Sequence, residues 1–227
     1  MQVAIVEYNA GNIYSVVNAL RRLGIEPVLT DSKEQLMKAD RVIFPGQGEA
    51  GNCMRYLREH NLDKLIKDLR QPVLGICVGQ QLLCRHSEEG DTDCIGVFDV
   101  DVKRFSPKRH ENRHGPETMS TLCTATVHKV PCMGWNALHE LRSDLFKGLT
   151  ESVDKEEGRQ MQDSPFVYFI HSYYVPLCEW TAATSNYILP YSSALHKDNF
   201  YTCQFHPEKS GKVGEQILRN FLELNNK

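Results

Sequence analysis

The stretch that decides the fold is residues 73–83, which read VLGICVGQQLL. Its first four residues form a short apolar run rich in branched side chains, a pattern typical of a buried strand. A helix is predicted to begin just after Cys77, which stands between Gly75 and Gly79. This is the pattern of a nucleophile elbow, with cysteine in the place of serine.

The chemistry of the predicted elbow suits a thiol. Small neighbours permit a strained turn, the amino terminus of a helix favours a thiolate, and the Val78 N–H can face a developing oxyanion. The alternative is that Cys77 is an ordinary buried core cysteine, as most cysteines are. That interpretation does not account for the two flanking glycines.

A second motif lies near the other end of the sequence, where residues 204–210 read QFHPEKS after a predicted strand. Residues two apart on an extended chain point to the same side, so Glu208 can orient His206. Cys77, His206 and Glu208 then supply a nucleophile, a base and an orienting acid. Each residue alone is weak evidence, whereas the paired motifs are a strong signal.

The rest of the sequence indicates an α/β protein, predicted as one domain over residues 1–227. In the first third, apolar runs at 3–6, 42–44 and 73–76 alternate with helical stretches. The clearest helix is predicted to start near Asn12 and to stop at Gly24. The alternation predicts a mostly parallel sheet with helices on both faces. Later segments are strand-like before a final helix at about 214–224, namely 95–105, 166–170, 180–183 and 200–205.

Composition narrows the class of protein and its partners. The chain has 26 Lys and Arg against 29 Asp and Glu, a net charge of -3 without long charged runs. Nucleic acid and anionic membranes are therefore not expected partners. No apolar segment reaches the roughly 20 residues of a membrane-spanning helix, and no export signal precedes the first strand. We expect a soluble, cytoplasmic protein whose eight cysteines are reduced thiols, most of them buried.

Two further patterns could indicate a dinucleotide site and a metal site, and neither interpretation is favoured. Residues 46–51 spell G-x-G-x-x-G, but no acid stands about 20 residues further on, so an oxyanion loop is favoured over a dinucleotide site. Residues 106–130 are polar and are predicted to form an exposed insertion. Histidines and cysteines in and beside this insertion lack a metal-ligand spacing, so no metal site is predicted. They are His110, His114, Cys123, His128 and Cys132.

Residues 75–81 (GICVGQQ) and 206–208 (HPE) together resemble the class I, triad-type glutamine amidotransferases. Within that family the chain is similar to the glutaminase subunits of imidazole glycerol phosphate synthases, which act in histidine biosynthesis. This narrower resemblance covers nearly the whole chain except the insertion. It rests on YNAGN at 8–12, PGQG at 45–48, PCMGWN at 131–136 and HPEKS at 206–210.

The resemblance implies a class I glutaminase-like (flavodoxin-like) fold with additional antiparallel strands in the C-terminal half. It implies hydrolysis of L-glutamine to glutamate and ammonia through a glutamyl thioester on Cys77, with no metal or other cofactor. It also assigns residues that bind glutamine or its oxyanion: Gly46, Gln47, Gly48, Val78, Gln81, His171, Ser172 and Tyr173. Because His206 is already paired with an acid, we expect His171 to be structural and not a second base.

The resemblance further implies a partner, a (β/α)8-barrel cyclase that forms a heterodimer with this chain. The cyclase receives the ammonia and makes imidazole glycerol phosphate and an aminoimidazole carboxamide ribotide. Three residues match family positions at or near the interface, namely Tyr168, Lys209 and Trp135.

The sequence departs from the family pattern at three single positions besides the insertion. Gln47 replaces a more usual Val, Gln80 replaces a common Met beside the glutamine site, and Cys132 replaces a His. Three alternatives stay open at this point. They are the same glutaminase feeding another synthase, such as one that aminates a sugar, a free-standing cysteine hydrolase or peptidase, and a binding scaffold with a relic triad.

Overall fold

The structure, a computed structural model, describes residues 1–8, 13–46, 48–106, 128–149 and 164–224. The strands of this part of the chain are β1 (Val3–Val6), β2 (Val28–Thr30), β3 (Arg41–Phe44), β4 (Val73–Ile76), β5 (Cys84–Ser87), β6 (Thr92–Asp93), β7 (Phe98–Arg104), β8 (Cys132–Ala137), β9 (Phe166–His171), β10 (Tyr173–Tyr174), β11 (Thr181–Tyr187), β12 (Leu189–Lys197) and β13 (Phe200–Cys203). The α-helices are α1 (Tyr14–Arg22), α2 (Lys33–Lys38), α3 (Ala50–Glu59), α4 (Leu62–Asp68), α5 (Val78–Leu83) and α6 (Gly211–Glu223).

The largest sheet of the described residues has the strand order β11-β12-β13-β4-β3-β1-β2. The five strands from β13 to β2 are parallel, and β12 and β11 continue the sheet antiparallel. Every residue of β1, β3, β4 and β13 is buried, as expected for parallel strands covered on both faces. The predicted α/β class, with antiparallel strands added in the C-terminal half, is confirmed.

The helices cover the sheet on its two faces because the strand order reverses at β1. The chain passes from β1 outward to β2, and then back across β1 to β3 and β4. Since crossover connections are right-handed, α1 lies on one face and α2, α3 and α4 lie on the other. Helix α1 runs from Tyr14 to Arg22 and ends before Gly24, as predicted, whereas its predicted cap Asn12 lies outside the described residues.

Two smaller sheets complete the described structure. One has the order β10-β7-β5-β6, and the other pairs β8 with β9. The antiparallel register of the pair places Cys132 opposite His171. Strand β9 thus ends at the segment that carries three of the predicted substrate-binding residues.

Some predictions fall on residues that the structure does not describe. The predicted insertion at 106–130 falls mainly on 107–127, so its exposure stays a prediction, as does the single domain. The cysteines outside that segment are free thiols, as expected. Among the described helices, none is long and apolar enough to cross a bilayer.

Candidate functional site

Cys77 occupies the tight turn between β4 and α5. Its backbone has φ 55° and ψ -111°, a conformation that is strained for a residue with a side chain. Its N–H donates to the Cys203 carbonyl at 2.8 Å, and its own carbonyl accepts from the Gln80 N–H at 3.0 Å as α5 begins. The thiol is buried. The predicted strand, turn and helix of a nucleophile elbow are therefore present.

The loop after β3 packs directly on this elbow through two glycines. A Cβ on Gly79 would lie 2.1 Å from the Phe44 carbonyl oxygen, and one on Gly46 would lie 2.2 Å from the Gly79 nitrogen. Neither position can hold a larger residue without a backbone shift. The Tyr8 hydroxyl donates to the Pro45 carbonyl and ties the loop to the end of β1. Gln47 lies outside the described residues.

His206 follows the end of β13 and contacts Cys77, and Glu208 contacts His206. His206 Nδ1 lies 2.8 Å from Glu208 Oε1, and their side chains are 5% and 1% exposed. Burial lowers the pKa of His206, but its hydrogen bonds to Cys77 and Glu208 outweigh burial and raise that pKa to about 10. Glu208 lies in a short 3-10 turn, Pro207–Lys209, so the extended-chain reason for the pairing is wrong although the predicted contact is present.

Cys77 and His206 border a cleft of about 440 Å³, whereas Glu208 bonds His206 without lining it. A larger cavity of about 560 Å³ lies beside α2 and α4 and includes none of the predicted site residues. The cleft brings together most of the predicted glutamine-binding residues with the predicted nucleophile and base. Its lining residues are Gly46, Gly48, Cys77, Val78, Gln81, Glu89, Pro131, Ile170, His171, Ser172, Tyr173, His206 and Lys209.

His171 holds one wall of the cleft and is not placed to act as a base. Its Nδ1 lies 2.7 Å from the Tyr173 carbonyl, so Nδ1 carries the proton, and its Nε2 lies 3.4 Å from the Tyr191 hydroxyl. Burial lowers the pKa of His171 to about 4, which keeps the ring neutral. The geometry agrees with the structural role predicted for this residue.

Glu89 is a cleft residue that no sequence pattern selects. It follows β5, its Oε2 accepts the Ala50 N–H at 2.9 Å, and burial raises the pKa of its carboxyl. This part of the cleft is formed by a loop that meets the start of α3, 39 positions away in the chain. No local motif marks such a contact.

Two of the departures from the family pattern can be placed. Gln80 is fully buried and does not line the cleft, because its amide bonds the Ser192 carbonyl at 3.3 Å and the Thr202 hydroxyl at 2.7 Å. The expectation that it lies beside the substrate is therefore wrong. Cys132 is buried opposite His171 in the β8–β9 pair, behind the cleft wall.

The three residues predicted to meet a partner lie near one another at one side of the cleft. Trp135 is 56% exposed and packs edge-to-face on Tyr168 with ring centroids 5.9 Å apart. The Tyr168 carbonyl accepts the His206 N–H at 2.9 Å, and Lys209 lines the cleft. Backbone contacts thus connect this surface to the base.

Within the described ranges, no group of three or more His, Cys, Asp or Glu side chains is arranged to hold a metal ion. The chemistry available at the cleft is that of a thiol, an imidazole bonded to the buried Glu208, and the carboxyl group of Glu89 in the lining. Such a set can attack an acyl carbon and transfer a proton to the leaving group.

Comparisons with known proteins agree with this chemistry. The family model "Glutamine amidotransferase class-I" matches residues 4–224. A Bacteroides thetaiotaomicron protein named imidazole glycerol phosphate synthase subunit HisH is 58% identical over 99% of this chain and 100% of its own length. An Escherichia coli protein of the same name is 38% identical over 99% of this chain and 100% of its own length.

Solved structures show the same fold at low sequence identity. A structure described as glutamine amidotransferase aligns with a TM-score of 0.64 and 21% identity, covering 97% of both chains. A second glutamine amidotransferase, from Thermotoga maritima, aligns with a TM-score of 0.58 and 16% identity, covering 98% of this chain and 96% of that one.

Proposed function

Because this chain belongs to the class-I glutamine amidotransferases, and within them to the HisH family of imidazole glycerol phosphate synthase subunits, we propose that it hydrolyses glutamine at Cys77. The ammonia then passes to a partner subunit of the synthase. The observation that carries the proposal is that Cys77 and His206 meet at the edge of one cleft, with Glu208 bonded to His206.

The first half of the reaction forms a thioester. At neutral pH His206 is protonated, since its pKa is about 10, and an imidazolium beside a thiol favours the thiolate. Cys77 Sγ attacks the side-chain carboxamide carbon of glutamine, and the carbonyl electron pair moves onto oxygen. When the tetrahedral intermediate collapses, the C–N bond breaks and His206 gives its proton to the leaving nitrogen, which departs as ammonia.

The second half restores the enzyme. His206, now neutral, takes a proton from water as the water oxygen attacks the glutamyl thioester carbon. The C–S bond breaks, glutamate leaves, and the thiolate and imidazolium are regenerated. Glu208 holds the imidazole through Nδ1 in both halves, so that Nε2 faces the reacting atoms.

The oxyanion of both intermediates faces the first turn of α5. The Val78 N–H stands at the start of that helix, where backbone donors are free to bind an anion. Gly46, just after β3, lies against the same turn, and the family pattern assigns a second donor to the Gln47 backbone. That second donor remains part of the proposal.

The α-amino and α-carboxyl groups of glutamine need polar partners away from the thiol. Glu89 is a partly buried carboxyl of the cleft and is suited to the α-ammonium group, together with the side chain of Gln81. The backbone of 171–173 lines the opposite wall. These assignments follow the predicted binding residues and add Glu89 to them.

The partner in this proposal is a (β/α)8-barrel cyclase, which forms a heterodimer with this chain. It uses the ammonia to make imidazole glycerol phosphate and an aminoimidazole carboxamide ribotide in histidine biosynthesis. The exposed Trp135 and its half-buried neighbour Tyr168, with Lys209, supply the docking surface beside the cleft. A cytoplasmic location is part of the same proposal.

The test is glutamate release from glutamine by the purified chain, alone and with such a cyclase and its nucleotide ligand. We expect strong stimulation by the cyclase, and no release by Cys77→Ala or His206→Ala under either condition. Trp135→Ala and Lys209→Ala should lower the stimulation while a small thiol reagent still labels Cys77 at the wild-type rate.

Other outcomes would change the assignment in different ways. Glutamate release by purified Cys77→Ala would overturn the mechanism. A reactive Cys77 without stimulation by the cyclase would keep the glutaminase chemistry and assign the ammonia to a different synthase. The formed contacts of His206 with Cys77 and Glu208 argue against a relic scaffold.

A further inference from the structure

Gln204 reaches the sulfur of Cys77 from the same strand end that carries His206. The two residues are two apart after β13, and both contact Cys77, whereas Phe205 between them packs on Phe169. Gln204 is 0% exposed, and its Nε2 lies 3.7 Å from Cys77 Sγ, within the range of an N–H donor to sulfur. The thiol therefore has an amide neighbour in addition to its imidazole.

The hydrogen-bond network fixes which end of the Gln204 amide faces the sulfur. A backbone carbonyl can only accept, so the Gln81 atom 3.3 Å from the Tyr173 carbonyl is Nε2. The same Nε2 lies 3.0 Å from Gln204, so the Gln204 atom that it meets is Oε1. The remaining end of the Gln204 amide, its NH2 group, must then point at Cys77.

We infer that Gln204 is a positioning residue that links the glutamine-binding wall to the nucleophile. Its N–H stabilises the thiolate, because a donor to a charged acceptor is stronger than one to a neutral acceptor. Its carbonyl holds the Gln81 amide so that Gln81 Oε1 is left for the substrate. The inference rests on the proposed function of Cys77 as the nucleophile.

The test uses the full chain and compares Gln204→Met with Gln80→Met. The two glutamines are both fully buried and both bonded to the core, but Gln80 does not contact Cys77 through its side chain. Gln204→Glu is a second variant, since it keeps the shape and the acceptor for Gln81 and lacks the donor to sulfur. The rate of Cys77 alkylation by iodoacetamide is measured from pH 5 to 9 by mass spectrometry of the Cys77 peptide, and kcat and KM for glutamine are measured beside it.

For Gln204→Met we expect alkylation near neutral pH to slow by about tenfold, the loss of one charge-assisted hydrogen bond. The alkylation profile should move to higher pH, and KM should rise because Gln81 loses its partner. Gln204→Glu should also slow alkylation. Gln80→Met should lower thermal stability without changing the profile.

The inference fails if both Gln204 variants fold and keep the wild-type alkylation profile and KM. It also fails if Gln80→Met changes both readouts as much as Gln204→Met does, because the effect would then belong to general packing. Failure of the proposed function is distinguishable, since wild-type Cys77 would then alkylate no faster than the partly exposed Cys94 and Cys178.

Discussion

At the scale of single residues, two carboxyl groups in and beside the cleft have different surroundings. Glu208 is almost fully buried and its Oε1 bonds the imidazole of His206. Glu89 lines the open part of the cleft and bonds the Ala50 N–H. The first acid is placed to orient the base, and the second is placed to bind a cation on the substrate.

Glu89→Gln should therefore weaken glutamine binding with little effect on the chemical step. Replacing the carboxylate by an amide removes a charge-assisted contact to the α-ammonium group, so KM should rise on the order of tenfold while kcat stays within about twofold. Steady-state glutamate release checks this, and iodoacetamide alkylation of Cys77 should be unchanged.

Glu88→Gln is the matched control, because this neighbouring acid is exposed and bonds the Arg104 N–H outside the cleft. Its KM should remain that of the wild type. An equal rise of KM in both variants, or a loss of kcat alone in Glu89→Gln, would remove Glu89 from the binding site.

The residues that can and cannot be identified from sequence differ in how they are brought together. Cys77, His206 and Glu208 lie in short motifs whose spacing reflects the chemistry, so two segments are enough to predict the triad. Glu89 and Gln204 make contacts between elements that are distant in the chain, and the residues beside them in the sequence do not indicate these contacts. The sequence misplaces Gln80 because its direction depends on where the short helix α5 packs.

At the scale of elements, the elbow depends on close packing between α5 and the end of β3. Gly79 approaches the Phe44 carbonyl so closely that a Cβ would lie 2.1 Å from it. That atom belongs to the backbone of a buried strand and has little room to move. The first turn of α5 and the end of β3 are thus held in a fixed relation.

Gly79→Ala should shift one of these two elements and misplace the oxyanion donors. We expect glutamate release to fall on the order of a hundredfold, the usual size for loss of an oxyanion donor, and the free energy of unfolding to fall by about 1–3 kcal/mol. Urea denaturation and the glutaminase assay measure the two effects.

Gly51→Ala in α3 tests whether the cost is specific to the elbow. Its added methyl would meet the Glu49 side-chain oxygen at 3.0 Å, a group that can move. Both stability and activity should stay near wild type, within about 1 kcal/mol for the former. Wild-type activity in Gly79→Ala would show that the glycine is not required.

Elements are predictable from sequence where local pattern and burial agree. The apolar runs of β1, β3 and β4 predict those strands nearly to the residue, since parallel strands buried on both faces read as continuous apolar runs. Strand β12 escapes prediction because it contains Pro190 and two serines, and its burial comes from pairing with β11 and β13. Strand β5 is not predicted because it begins at the residue directly after α5, with no turn residues between them.

At the scale of the whole molecule, His171 connects the small β8–β9 sheet to the main sheet. Its ring lies among Phe105, Phe169 and Tyr191, and the last of these comes from β12. Burial holds its pKa at about 4, so protonation of this residue opposes folding.

The sign of the pH dependence follows from that lowered pKa. Between pH 6.5 and 4 the unfolded chain binds a proton at His171 that the folded chain does not, so the stability from this residue is complete above 6.5 and is lost as pH falls toward 4. The full loss amounts to about 3 kcal/mol.

His171→Phe should lower the stability at pH 7, because the bond to the Tyr173 carbonyl is lost, and should flatten its decline on acidification. Urea denaturation of both proteins at several pH values between neutral and mildly acidic gives the comparison. Parallel curves for wild type and variant would show that His171 does not contribute to the acid sensitivity.

The position of β13 inside the main sheet also has a consequence while the chain is being synthesised. Its neighbour β4 ends just before Cys77, yet Gln204 follows Cys77 by 127 positions in the chain. When α5 has just been synthesised, the amide neighbour of Cys77, its imidazole and the strand that accepts its N–H have not yet been made. Domains fold as units as the chain emerges, so the nascent polypeptide carries an ordinary thiol until β13 is inserted. On the proposed mechanism, unfinished chains are consequently unable to hydrolyse glutamine.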